Sequence, residues 1–219
     1  MHYALNDKIA TITLDDGKAN AVGHTLIDAL NAALDQAETE AASVVLLGRS
    51  GVFSAGFDLK EIQKGPDAAA ALVGRGAEMF YRLFNYPLPL IAGCTGHAMA
   101  AGALILLSCD TRVGVRGDFK LGLNETAIGM SLPVFGLELA RNRLSKRHLT
   151  AAVVQSRLYD PASAVDAGYL DETVDVDELE ARCHELATGL SALPTAAYAR
   201  MKRDLRQAPL ETIKASLGE

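Results

Sequence analysis

Two rhythms of apolar and polar positions alternate along this chain, one with the period of a strand and one with that of a helix. His2–Leu5 and Ile9–Leu14 are extended runs around the polar turn Asn6-Asp7-Lys8, which predicts an N-terminal hairpin. Thr25-x-x-Asp28 then has the form of a capping box, and Leu26, Ile27, Leu30, Leu34 and Ala37 follow at helical spacing. SVVLL (43–47) predicts a short buried strand ended by Gly48 and Gly51, and Ala68–Phe84 a second helix stopped before Pro87. LPLIA (88–92) is strand-like, Ala101–Leu107 is an apolar helix-like run, Thr111–Val115 predicts a strand, and Lys120–Leu123 a short extended piece. Further helices are expected over Pro133–Arg143, Lys146–Gln155 and Pro161–Ala167, with a strand at Leu170–Val174. Val176, Leu179, Cys183, Leu186 and Leu190 predict one face of a helix, and Pro194–Leu205 starts another with proline in its first turn. Strands alternating with helices imply an α/β fold with crossover connections. No long linker or fixed-period repeat interrupts residues 1–190, and residues 191–219 read as a helical segment appended to that core.

One boundary in this pattern carries candidate chemistry. Strand 88–92 enters GCTGHAMAAGALILLSCD (93–110), a turn of small residues that opens straight into an apolar helix. Small side chains let another molecule approach the backbone, and a helix start leaves N–H groups unpaired and partly positive. Together they can hold an anion with main chain alone. Tight packing of helix on sheet accounts for the same composition, so this segment by itself decides nothing. A second segment has the same design: strand 43–47, then Gly48-Arg49-Ser50-Gly51, then VFSAGFDLKE (52–61), with Asp58 placed to favour a helix N-terminus. Two such turns on one sheet could aim two N–H groups at one point, the geometry that holds a carbonyl oxygen as it becomes an enolate or tetrahedral anion.

Composition narrows the class. The 219 residues suffice for one substantial domain, and 49% hydrophobic with 22% charged residues is the balance of a soluble globular chain. No apolar run approaches the roughly 20 residues of a membrane span, and MHYALNDKIATITL lacks the basic-then-apolar order of a secretion signal. Cys94, Cys109 and Cys183 are odd in number and lack metal-type spacing, so they are expected as reduced, buried thiols in a cytoplasmic setting. A net charge of −6 argues against a general nucleic-acid binder. The basic cluster Arg141, Arg143, Lys146, Arg147 and His148 reads first as a solvated helix end, then as a dock for an anionic ligand tail, and last as an RNA contact.

FSAGFDLKEI, GHAMAAGALILLSCDTRV and KLGLNETAIGMSLP, in this order, resemble the crotonase superfamily, the enoyl-CoA hydratases and isomerases, over roughly residues 3–190. The resemblance implies a spiral of β-β-α units with a short C-terminal helical part, acting on an acyl-CoA thioester. It places the two oxyanion N–H groups on Phe57 and Ala101. It assigns Ser54, Ala55, Asp58, Leu59, Lys60 and Leu104 to contacts with CoA or substrate. Phe57 is bulky where many relatives carry a small residue. Of the two glutamates that hydratases of this superfamily use, one position is Leu104 here and the other is Glu125.

That difference has a chemical consequence. Adding water to a 2-enoyl thioester needs a base for the water and an acid for C2, which two carboxylates divide. Moving a double bond from C3 to C2 needs one base that takes a C2 proton and returns it at C4, and an apolar neighbour such as Leu104 helps to exclude water. GLNETAIG with leucine at 104 is most similar to the mitochondrial-type Δ3-Δ2-enoyl-CoA isomerases, so isomerase leads. A hydratase using another acid, such as Glu138 or Glu61, and a non-catalytic acyl-CoA- or RNA-binding homologue are the alternatives. No metal or cofactor is implied; coenzyme A is part of the substrate. The resemblance implies a homotrimer or hexamer and a C-terminal part shorter than usual for the family, while charge and the lack of a long apolar run lead us to expect no nucleic acid or membrane partner. Without it, Glu125 would read as a surface acid. Asp58 is expected to position backbone, Asp110 to make an ion pair or cap, with Arg112 as the candidate partner, and His97 to be a hydrogen-bonded structural group.

Overall fold

The computed structural model describes residues 1–218. Strands β1 (His2–Asn6) and β2 (Ile9–Thr13) form the expected hairpin. Helix α1 (His24–Glu40) and strand β3 (Ser43–Leu47) follow. Next come β4 (Gly51–Ser54), the short α2 (Leu59–Ile62) and α3 (Pro66–Phe84). The centre of the chain holds β5 (Leu90–Cys94), β6 (Gly96–Met99), α4 (Ala101–Ser108), β7 (Thr111–Val115) and β8 (Leu121–Gly122). Then follow α5 (Val134–Arg143), α6 (Leu149–Val153), α7 (Pro161–Ala167) and β9 (Glu172–Val174). Helices α8 (Leu179–Ser191), α9 (Thr195–Leu205) and α10 (Gln207–Ser216) end the described chain.

Among the described residues the strands fall into two sheets, one in the order β1-β2-β3-β5-β7-β9 and one in the order β4-β6-β8. All pairs but the β1–β2 hairpin are parallel. After the β1–β2 hairpin, the turns that start at β3, β5 and β7 each lay one strand on the large sheet and the next on the small sheet, and then leave in a helix or loop. This is the expected spiral of β-β-α units. The small sheet is the part that the sequence pattern hid, because β4 and β6 lie inside the two small-residue segments that read as turns.

Burial explains the apolar runs. Val44 and Leu46 of β3 face the main core beneath α1, α3 and α4, whereas Val45 and Leu47 face a second cluster closed by Leu179, Cys183 and Ala187 of α8. A parallel strand covered on both faces needs no polar alternation. Helix α4 is buried at all eight positions and therefore has no polar stripe. Leu210 and Ile213 of α10 are buried in the main core, so these late residues share in the packing.

Several local expectations are corrected. Helix α1 starts at His24 with Gly23 as its N-cap and no side-chain cap, so the Thr25–Asp28 box does not form. The entering chain is fixed instead by Val22, whose N–H donates to Gly56 and whose carbonyl accepts from Asp58. Lys146–His148 form a turn because the Ser145 carbonyl accepts from His148 and Leu149, which leaves only Leu149–Val153 helical. Val176 is 71% exposed and lies before α8. The basic cluster is not one patch: Arg141 pairs with Glu138, while Arg143 turns inward to the carbonyls of Cys109 and Asp110. All three cysteines are free and buried, and burial pushes each thiol up to about 12.

Candidate active site

The two small-residue turns meet. Gly56 has φ +98°, and a Cβ there would stand 2.9 Å from Ala100 Cβ, 3.0 Å from Met99 O and 3.3 Å from Ala101 N. Glycine is thus required both for its backbone conformation and for the approach of the second turn. Gly102 serves the same contact from the other side, since its Cβ would fall 2.2 Å from Ser54 O. Ala100, at φ 50° and ψ −122°, caps α4 in a conformation that L-residues rarely adopt. Such strain is held by the surrounding fold and often marks a functional position. Here it sets the direction of the next N–H group, that of Ala101. Among the described residues, neither Phe57 N–H nor Ala101 N–H finds a hydrogen-bond acceptor.

Behind the first turn, Asn20 holds the geometry. Its buried side-chain amide donates to Leu14 O at 2.8 Å and Phe53 O at 3.1 Å, and its backbone carbonyl accepts from Ser54 Oγ at 2.7 Å. Ser54 Oγ in turn accepts from Gly56 N–H at 3.3 Å. Ser54 is therefore a buried strut of the turn, while Ala55, Leu59 and Lys60 are exposed in front of it. Asp58 is half-buried and caps α2 by accepting from Lys60 N–H at 2.9 Å, the backbone-positioning role expected of it. Asn20 was not singled out in the sequence; its position in a polar loop, with a left-handed φ of 50° that asparagine tolerates, was the available signal. Beside this turn a cavity of about 390 Å³ is lined by Asp15, Asp16, Asp58 and Glu61 with Asn20 and His24. Its four carboxylates give this cavity a negatively charged lining.

Glu125 reaches the same place through a loop pinned at both ends. Gly122 of β8 accepts from Ala100 N–H at 2.9 Å. Ten residues on, Leu132 packs with Leu104 around Gly136 of α5, their methyl groups standing 3.0 and 3.4 Å from where a Gly136 Cβ would be. The loop that carries Glu125 thus starts and ends against the first turn of α4. Glu125 is half-buried, and its Oε2 is withdrawn from water with no hydrogen-bond partner among the described residues. Asn124 Oδ1 beside it is equally unpartnered. Burial raises the Glu125 carboxyl above its ordinary value. Leu104 is buried at 1% exposure, so this side of the site is apolar.

Other candidate groups have structural roles. His97 accepts from Lys120 N–H at 3.0 Å and meets Phe119 edge-on, as expected of a structural histidine. Glu138 is engaged by Arg141 at 2.7 Å, and Glu61 by Lys64. Asp110 does not pair with Arg112. It accepts from Leu90 N–H, Tyr198 OH, Lys202 and Arg206, while Arg112 is held by Asp171. Among the described residues, no group of three His, Cys, Asp or Glu side chains could hold a metal ion, and no helix is long and apolar enough to cross a membrane.

Comparison with known proteins fits this architecture. The family model for enoyl-CoA hydratase/isomerase matches residues 4–216, and the chain belongs to that family. A Pseudomonas syringae enoyl-CoA hydratase/isomerase family protein superposes with a TM-score of 0.96 at 42% identity, over 99% of this chain and 94% of that one. A Mycobacterium tuberculosis protein, described in one structure as an enoyl-CoA isomerase and in another as a probable enoyl-CoA hydratase, is 36% identical. In the first of these its TM-score is 0.94, over 99% of this chain and 95% of that one. The mitochondrial enoyl-CoA delta isomerase 1 of Mus musculus is 26% identical over 94% of this chain and 73% of its own length. A probable enoyl-CoA hydratase of Bacillus subtilis is 34% identical over 58% of this chain, and the chain covers half of that relative's length.

Proposed function

We propose that this protein moves the double bond of a 3-enoyl-CoA to the 2-position, with Glu125 as its single proton-transferring group. The observation that carries the reading is one Glu125 carboxylate oxygen buried without a donor, on a loop anchored at Ala100 and Leu104 next to the turn that holds an unpaired Ala101 N–H. The thioester oxygen accepts from Phe57 and Ala101 N–H. Glu125 takes a proton from C2, and the C2–H electron pair moves into the thioester to give a dienolate whose oxygen the two N–H groups stabilise. The protonated carboxyl then delivers that proton to C4, the C3–C4 double bond becomes C2–C3, and the thioester carbonyl re-forms. A raised carboxyl pKa suits the first half, because it makes the carboxylate a stronger base toward the C2 proton.

Leu104 supports isomerisation over water addition, since the apolar side chain neither binds a water molecule nor supplies a second acid. The names of the relatives include both activities, so substitution is the test. Glu125→Gln is expected to lower 3-enoyl-CoA isomerisation by about 10²–10⁴-fold while acyl-CoA binding persists. Turnover unchanged in that variant would remove the mechanism, and a binding protein without catalysis would show no turnover to lose.

A further inference from the structure

Phe57 has two ends with different tasks. Its N–H faces the proposed oxyanion position, while its ring runs back into the protein against α3. A Cβ on Gly76 of α3 would stand 2.6 Å from both Cε1 and Cζ of that ring, so the ring occupies the space that a side chain at 76 would take. It then meets Phe80 edge-on, with centroids 6.2 Å apart, and Phe80 stacks on Phe135 of α5 at 5.1 Å and 16°. Phe80 and Phe135 are buried, whereas Phe57 and Leu132 are only partly buried against the same core. Phe57 from the first turn and Leu132 with Leu104 near α5 thus border the same core, which the stacked Phe80 and Phe135 fill.

We infer that the Phe57 ring, seated in the notch left by Gly76, is the stop that limits the acyl chain to short substrates. This rests on the acyl-CoA reading of the site. An acyl chain whose C1 oxygen lies at Phe57 N–H and whose C4 lies at Glu125 runs from the first turn toward the loop leading into α5. Carbons beyond C4 then meet the wall that joins those two elements. The ring cannot retreat, because Phe80 and the α3 backbone at Gly76 fill the space behind it. Phe57 and Gly76 thus act as a matched pair, one filling what the other leaves empty.

The test measures dissociation constants of saturated acyl-CoA esters from butanoyl to dodecanoyl, which do not react, for the wild type and for Phe57→Ala, Phe57→Leu and Gly76→Ala. Wild-type affinity should stop rising beyond the short esters. Removing the ring should restore a gain of about fourfold for each further methylene buried, graded from leucine to alanine. Gly76→Ala should shift the limit to shorter esters by pushing the ring forward. A length profile identical in Phe57→Ala, Phe57→Leu and wild type would overturn the stop while leaving the acyl-CoA reading intact. Failure of the wild type to bind any ester would overturn that reading and the stop together.

Discussion

Asp110 and Glu125 are both carboxylates drawn out of water, and the fold surrounds them in opposite ways. Asp110 ends the buried helix α4 and accepts from a backbone N–H, a tyrosine hydroxyl, a lysine and an arginine. Lys202 also donates to Tyr86 O and Leu88 O, and Arg206 to Phe84 O, so each buried cation has backbone acceptors as well. Glu125 has a buried oxygen with no donor and a carboxyl raised by burial. Native structures rarely leave a buried polar atom unpaired, and the exceptions concentrate where chemistry occurs. A carboxylate surrounded by donors holds elements together; one kept from donors is free to take a proton.

Exchanging each acid for its amide should separate the two roles. Glu125→Gln loses the activity, by the 10²–10⁴-fold proposed above, yet should melt about 2–4 °C higher, because relieving an unsatisfied buried charge contributes roughly 1 kcal/mol in a chain of this size. Asp110→Asn should do the reverse. It leaves Lys202 and Arg206 buried without their counter-charge and is expected to cost about 3–5 kcal/mol of stability. The fraction that stays folded should keep its kcat. Denaturant unfolding and turnover per folded molecule, measured on both variants, check the pair.

Gly56→Ala probes the turn that aims the Phe57 N–H. The positive φ and the 2.9 Å approach to Ala100 force the backbone to shift. Misplacing one oxyanion donor should lower kcat by about 10²–10³-fold with a smaller change in acyl-CoA affinity, and steady-state kinetics separates the two.

The smallest expected effect is in the pH dependence. The acid limb of kcat/KM should fall at a pH above the ordinary carboxylate value of about 4.3, since activity needs ionised Glu125 and burial raises its pKa. For stability the sign is opposite to that of a paired acid: the folded state holds the proton more tightly than the unfolded chain. Glu125 therefore favours folding at low pH, and that contribution is lost as pH rises through its unfolded and then its folded pKa. Glu125→Gln should remove this pH dependence from the melting curve.

The candidate site was more legible in the sequence than the elements that support it. The strands β3, β5 and β7 and the two small-residue turns were legible because each is a local pattern, whereas the contrast between Leu104 and Glu125 was legible only through the resemblance to the family. The small sheet was not, since β4 and β6 are four residues long and half of each is made of the small residues that also mark turns. The partners of Asp110 were invisible for a different reason. Lys202 lies 92 residues further on and Arg206 96, while the expected Arg112 is two residues away but committed to Asp171. The unpaired state of Glu125 depends on what three elements leave around it, and no spacing in the chain encodes that.

The most direct test of the central claim is a paired assay on the wild-type protein, supplying a short 3-enoyl-CoA and, separately, the matching 2-enoyl-CoA in water. A single proton-transferring carboxylate, with leucine at 104 in place of a second acid, predicts conversion of the first to the 2-enoyl ester and little 3-hydroxyacyl product from the second. Hydration of the 2-enoyl ester at a rate equal to or above that of isomerisation would contradict it.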